Sequence, residues 1–321
     1  MSAALQRHLP LVTTAFVFAA LFGVAAFLYE GFFSTSVVVS LFADNAALAV
    51  VAVGLTLVIF SGGIDLSVGA VVGFTSIFTA TLVQQHGVHP AVAAVLALGV
   101  GAMFGAGMGA LIHFFRQPPF LITLAGMFLM RGLGFWITTD SLPVEHPIFL
   151  GLTGFALPVG DAVDLPVTAL VALGLLAIGG VLAHLTRFGR NLLALGGSEQ
   201  SALLMGLPVG ATKVGVYTLS GACAALAGVV GTIYTGAGNP TLGVGLELDA
   251  IAVVVIGGTL LAGGRGHMLG TLLGILIFGT IQSALLFDGR LSAAWVRIVV
   301  GALLLTFILL QRALVRGIAR R

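Results

Sequence analysis

Charge is the scarcest commodity in this 321-residue chain. Lys and Arg number 13 and Asp and Glu 11, together 7% of the residues, where a soluble globular domain carries about 25%. So few charges cannot cover a core with a hydrated surface, which excludes a soluble protein. Cysteine is nearly absent: the single Cys223 excludes an intrachain disulfide framework, and within an apolar run it reads as a small core residue. Lysine occurs once, at Lys213, and no G-x-x-x-x-G-K precedes it, so the chain has no P-loop with which to hydrolyse ATP itself. There is no H-E-x-x-H, and the seven histidines show no metal-ligand spacing. His86 and His89 flank a predicted turn and read as solvated. No nucleophile–base arrangement stands out; "SGGIDLS" is the one stretch where an intramembrane hydrolase comes into question.

What is present is apolar. Hydrophobic residues make up 59% of the chain and its mean hydropathy is +1.18. The apolar runs are about 18–24 residues long and do not alternate, which selects membrane-spanning helices over the strands of a barrel. The expected fold is an all-α polytopic membrane protein, a single transmembrane domain over 1–321. About ten spans are counted, at 11–29, 37–60, 66–83, 91–114, 119–138, 166–185, 214–235, 248–262, 268–286 and 293–311. The eighth is short for a ~30 Å hydrocarbon core and reads either as tilted into protein contacts or as part of a broken or re-entrant element. The first run, Leu11 to Leu28, is long enough to cross and lacks a convincing small-residue cleavage site, so it reads as an uncleaved span. Many of the 46 glycines lie inside apolar runs, which suits close helix–helix contact in lipid.

The positive charges orient the spans. With the N-terminus inside, the inner side receives Arg7, Arg116, Arg187, Arg190, Lys213, Arg265, Arg312, Arg316, Arg320 and Arg321, and the outer side only Arg290. Both termini are therefore expected in the cytoplasm of a bacterial inner-membrane protein. The outer loop 139–165 carries Asp140, Glu145, Asp161 and Asp164 without a single Lys or Arg. The pI near 9.1 thus reflects an inner collar facing anionic lipid, with no nucleic-acid partner. "GGIDLSVGAVVG" (62–73) and "GGRGHMLGTLLG" (263–274) share four glycine positions at an offset of 201, which raises a possible internal duplication. In transporters, paired glycine-interrupted segments mark the substrate path.

The longest polar interruption of the second half, 186–213, is expected to be cytoplasmic. Ser198 is a suitable N-cap, Gly206 stands where a C′ glycine belongs, and Pro208 stops continuation. Two helical turns do not hold alone in water, so the apolar residues Ala202, Leu203, Leu204 and Met205 need a surface to pack on. That surface is either this protein's own membrane face or another protein.

Here "GGSEQSALLMG" resembles the cytoplasmic coupling motif of ABC-importer permeases, a Glu followed seven residues later by a Gly, at Glu199 and Gly206. "SGGIDLSVGAVVGFT" (61–75), "FLITLAGMFLMRG" (120–132) and "GLELDAIAVVVIGGTLLAGG" (245–264) are similar to motifs of the ribose- and galactose-type sugar permeases. The likeness covers nearly the whole chain. "LPVEHP" (142–147) and "LAGMFLMRG" (124–132) bring it nearest to permeases of galactofuranose importers. The family pattern has two alanines after the coupling Glu, where this chain has Gln200 and Ser201.

The resemblance implies a sugar-importing permease and gives the loop a task. Ser198, Glu199, Ala202, Leu203, Met205 and Gly206 would dock in a cleft of a cytoplasmic ATP-hydrolysing subunit. No cofactor is implied for this chain, since ATP and Mg would be used by that partner. A second homologous permease would complete the membrane unit, either as a heterodimer or as a second copy. An extracytoplasmic sugar-binding protein would dock on the outer face, with 139–165 and the turn at 287–292 as candidate surface.

Polar groups in or beside spans are the remaining candidates for a translocation path or gate. Asp65 and Ser67 lie in a glycine-rich break, and read either as path residues or as caps of the following helix. Arg131 is the deepest charge, expected to pair with a carboxylate or to meet a sugar hydroxyl. Glu247 and Asp249 open the eighth span as helix-terminal charges, gate residues, or partners of Arg131. Asn45, Thr56, Thr123 and Asn239 are uncharged polar groups along the spans. The competing readings are an ABC permease for another small polar solute and an ion-coupled secondary transporter, which would favour a deep acidic cluster.

Overall fold

The computed structural model describes residues 3–158, 163–289 and 294–319. Asp161, Arg290, Arg320 and Arg321, and part of the candidate docking turn at 287–292, lie outside them. In chain order come α1 (Ala3–Leu28), α2 (Thr35–Ala43), α3 (Ala46–Phe60), α4 (Val68–Gln84), α5 (Pro90–Phe114) and α6 (Pro119–Ile137). There follow β1 (Leu142–Pro143), α7 (Pro147–Gly154), β2 (Ala156–Pro158), β3 (Asp164–Pro166), α8 (Val167–Leu185), α9 (Arg187–Gly197) and α10 (Glu199–Leu204). The chain continues through α11 (Val209–Thr235), β4 (Ala237–Gly238), α12 (Leu246–Ile256), α13 (Met268–Asp288) and α14 (Ala294–Ala319).

The protein is a mostly helical, multi-pass inner-membrane protein. Among the described residues, six helices are long and apolar enough to cross a bilayer, and a seventh span forms if α2 and α3, bent by 56° at Asp44–Asn45, count as one. Two expected spans are corrected. The run 37–60 is apolar throughout, yet it bends where Asn45 turns its side-chain amide back onto the Leu41 carbonyl (3.0 Å), a polar insertion of the kind that kinks helices. The run 248–262 is helical only to Ile256 and is non-helical from Gly257 to His267, so the short eighth span is one arm of a broken element. The stretch 139–165, expected as an outer loop, is not a plain loop: α7 lies within it, β2 pairs antiparallel with β3, and β1 pairs antiparallel with the distant β4. Polar segment 186–213 is likewise more helical than expected, since α9 precedes α10 and α11 begins at Val209.

α3 is the centre of the core. It is apolar on every side and buried at every position but Ala47, as a helix enclosed by others must be. α11 packs across α3, α4 and α5. On the α5 side the contact is backbone to backbone, because a Cβ on Gly105 would fall on the Tyr217 carbonyl and one on Gly101 would come within 2.5 Å of the Gly221 oxygen. Small residues permit this approach where lipid supplies no hydrophobic drive between helices.

Contacts between connections sort into two sets. In one, Tyr29 meets Asp288, Gln84 meets Glu145, Thr153 meets Ile233, and β1 pairs with β4. In the other, the segments around 61–67, 119–123, 184–197 and 257–268 touch each other.

Candidate functional site

α3 and α12 end in the same way. Gly62 N–H donates to the Ile59 carbonyl (2.9 Å) and Gly63 N–H to that of Val58 (3.1 Å), with Gly62 at φ +79. Gly258 N–H donates to Val255 (2.9 Å) and Thr259 N–H to Val254 (3.3 Å), with Gly258 at φ +91. These are paired Schellman closures, which satisfy the last carbonyls of a helix and need a residue tolerant of positive φ. After each, a non-helical segment leads to a new helix at Val68 or Met268. The two segments that share the glycine pattern therefore share a construction, and they touch: Gly264 N–H donates to the Phe60 carbonyl at 3.1 Å.

Asp65 sits in the first break, 2% exposed. Its Oδ1 accepts from Ser67 N–H (3.0 Å) and Ser67 Oγ (2.6 Å), and its Oδ2 from Ser220 Oγ of α11 (2.7 Å). The Ile64 carbonyl accepts from Tyr217 Oη (3.3 Å) and Thr123 Oγ1 (3.4 Å). The break is thus braced against α11 and α6 by hydrogen bonds, and the buried carboxylate is satisfied by donors in place of a counter-ion. Ser67 does not cap α4: it makes no side-chain capping bond there, because its hydroxyl serves Asp65. Thr56 hydrogen-bonds the Ala52 carbonyl (2.6 Å) and Thr271 Oγ1 (2.8 Å), joining α3 to α13.

Just past this break, alongside the first turns of α4, Arg131 of α6 directs its hydrogen bonds to backbone carbonyls and not to a carboxylate. Nη1 donates to the Pro240 (3.0 Å) and Leu242 (3.2 Å) carbonyls and Nη2 to that of Gly243 (3.5 Å). It ties down the turn that enters α12. Asn239 shapes the same turn, its Oδ1 accepting from Thr241 N–H (2.8 Å) and Oγ1 (2.7 Å). Glu247 Oε2 is buried without a hydrogen-bond partner among the described residues, against the backbone of Gly69, where a Cβ would fall on it. Asp249 lies half-buried two residues on. The candidate path residues therefore form two groups. Asp65, Ser67 and Thr123 surround the break, Arg131, Asn239, Glu247 and Asp249 gather around the turn into α12, and Asn45 and Thr56 serve helix joints.

The polar loop is built more firmly than its composition suggests. Thr186 Oγ1 caps α9 by accepting from Gly189 N–H (3.2 Å), and Ser198 Oγ caps α10 by accepting from Ser201 N–H (3.2 Å). α10 closes with Gly206 N–H on Leu203 (3.0 Å) and Leu207 N–H on Ala202 (3.1 Å), Gly206 being at φ +74. Lys213 Nζ reaches Glu199 Oε1 at 2.7 Å, the one ion pair among the described residues. Ala202 is fully buried against Leu195 and Val209, so it anchors α10 to its own chain and is removed from the expected docking face. Leu203, Leu204 and Met205 are 56%, 84% and 65% exposed. The sequence reading missed Ser220, Tyr217, Thr271 and the Glu199–Lys213 pair. The first three are the polar side chains inside apolar runs, which is the signal that was available.

Comparison of the sequence with known proteins places the chain in a family. Residues 37–308 match the family described as branched-chain amino acid transport system / permease component. The inner membrane ABC transporter permease protein YjfF of Escherichia coli is 47% identical over 310 residues, 97% of this chain and 94% of that one. The fructose import permease protein FruG of Bifidobacterium longum is 39% identical over 314 residues, 96% and 92% of the two chains. The ribose import permease protein RbsC of Bacillus subtilis is 39% identical over 277 residues, 86% and 84% of the two chains.

Proposed function

This chain belongs to the branched-chain amino acid transport system / permease component family, and from that premise we propose that it is the permease subunit of an ATP-driven importer that passes a monosaccharide, of the galactofuranose kind, into the cytoplasm. Two of the relatives above carry a sugar in their names, which favours a sugar over an amino acid. The helices cross ten times between two faces, with α2–α3 as one bent crossing and α12 with its break as another. The two sets of loop contacts support this count, since connections that alternate along the chain touch only members of their own set. Both termini and the α9–α10 segment then lie in the cytoplasm, where the Arg and Lys residues gather.

The observation that carries the reading is the exposed edge Leu203–Leu204–Met205. It lies outside the long apolar helices, on a six-residue helix too short to stand alone. That helix is nevertheless fixed by a cap, a Schellman turn, an ion pair and a buried Ala202. A rigid apolar edge on a polar loop suits insertion into the cleft of an ATP-hydrolysing subunit, with α9 and α11 carrying the displacement into the membrane. A homologous permease and an extracytoplasmic sugar-binding protein complete the complex.

The test is purification of the tagged chain, expressed with its genomic neighbours, in mild detergent, followed by sugar uptake in liposomes. An ATPase is expected to co-purify and to be lost in the Leu203→Asp, Leu204→Asp double variant, with uptake lost alongside. An unchanged ATP requirement and unchanged uptake in that variant would overturn the coupling role. Uptake by this chain alone under an ion gradient would replace the importer reading with an ion-coupled one.

A further inference from the structure

The coupling loop and the two helix breaks meet at one point, and that point is built from glycine backbone. α9 ends at Gly196–Gly197, immediately before α10. A Cβ on Gly196 would fall on the Phe60 carbonyl oxygen and lie 2.5 Å from Gly264 N. A Cβ on Gly263 would lie 2.6 Å from Gly62 N and 3.0 Å from the Gly196 Cα. One on Gly264 would lie 2.8 Å from both the N and the Cα of Gly197. Three backbones thus touch without an intervening side chain: the end of α9, the first break at Gly62, and the second break at Gly263–Gly264. The Gly264–Phe60 hydrogen bond crosses the same point.

Side chains elsewhere in α9 hold it there, since Leu192 is fully buried and Leu195 is 4% exposed. A contact between side chains absorbs a small displacement by changing rotamer. A contact between hydrogen-bonded backbones has no such slack, because close-packed interiors transmit strain.

We propose that Gly196 is a positioning residue that passes a displacement of the 198–206 segment to both breaks at once. The proposal rests on the coupling reading above. In it, α10 is the handle, α9 the lever, and the glycine junction the bearing on which both interrupted elements turn together. The adjacent glycine supplies the control. A Cβ on Gly197 would meet nothing within 4 Å, so Gly197→Ala adds the same methyl one residue on and, at a helix end, a similar change in local propensity.

The experiment uses the full complex in liposomes and records both ATP hydrolysis and sugar uptake for Gly196→Ala, Gly197→Ala and Leu204→Asp. Gly197→Ala is expected to retain both. Gly196→Ala is expected to keep the ATPase bound and hydrolysing while sugar-dependent stimulation and uptake are lost. Wild-type uptake and stimulation in Gly196→Ala would overturn the proposal. The coupling reading fails separately, if Leu204→Asp leaves assembly and uptake intact.

A second measurement stands if Gly196→Ala does not fold. Spin labels on Gly197→Cys and Arg265→Cys, in a Cys223→Ala background, report the distance between the end of α9 and the second break. That distance is expected to stay fixed between the nucleotide-free and ATP-trapped complexes, while a third label on Leu203→Cys moves relative to α5. A change of several ångströms between positions 197 and 265 across the cycle would overturn the shared bearing.

Discussion

Replacing Asp65 separates a brace from a path residue. Its carboxylate is buried and accepts three hydrogen bonds, two from Ser67 and one from Ser220. Bonds to a charged acceptor contribute about 1.5–3 kcal/mol each, so three sum to roughly 4–9 kcal/mol before the cost of burying the charge is subtracted. That cost is several kcal/mol for a buried ion. Asp65→Ala removes the charge together with the bonds, and leaves the Ser67 N–H and the Ser220 hydroxyl without their acceptor. We expect a net loss of about 2–5 kcal/mol, the range seen when one partner of a buried polar network is deleted. Asp65→Asn keeps an oxygen for both Ser67 donors. Its amide N–H can donate to Ser220 Oγ if that hydroxyl reverses its role, so its cost is expected near 1 kcal/mol. Ser220→Ala removes one charge-assisted bond and is expected to fall between, at about 1.5–3 kcal/mol.

The assay is thermal unfolding of detergent-purified protein followed by size-exclusion fluorescence, with uptake measured below each variant's own midpoint. Order of stability should run wild type, Asn, Ser220→Ala, Ala, and uptake in Asp65→Asn should survive. An Ala variant as stable as wild type but without uptake would refute the brace and return Asp65 to the translocation path.

Three further outcomes follow from the same contacts. Arg131→Ala removes the three carbonyl contacts that hold 240–243, so folded yield should drop and chymotrypsin should gain access at Leu242 in the turn before α12; unchanged yield and cleavage would deny it that structural part. Glu199→Gln breaks an ion pair whose carboxylate side is half-exposed; such pairs contribute about 0–1 kcal/mol, so the midpoint should barely move, and the charge-reversed double variant Glu199→Lys, Lys213→Glu should restore any lost uptake. Thr56→Val should destabilise by about 1–3 kcal/mol through an unpartnered Thr271 hydroxyl, whereas Thr56→Val with Thr271→Val should recover most of that loss in the same unfolding assay.

The sequence made some of this legible because local rules were sufficient. The cap at Ser198, the turn at Gly206 and the glycine break after Phe60 are stated by residues within a few positions of each other, and the structure builds each as expected. Hydropathy located the long helices for the same reason. It failed where apolarity is uniform but geometry is not. Nothing in the run 37–60 but Asp44 and Asn45 marks a bend, and in 248–262 the pair Gly257–Gly258 ends a helix that hydropathy continues. The candidate site was the least legible part, because its bonds connect distant positions. Asp65 and Ser220 are 155 residues apart, and Arg131 and Pro240 are 109 apart. The polar residues were visible one by one, but which of them would face each other depends on how α11 crosses α3 and α4.

The small ladder of β2 and β3 has a practical use. It sets Pro158 opposite Asp164, so the connection between them starts and finishes at one place. Lengthening a connection whose ends are already held together costs little, since closure entropy grows only with the logarithm of length. An epitope placed between these two residues should leave the helices undisturbed, and whether intact spheroplasts bind the antibody then reads directly which side of the membrane this end of the molecule faces.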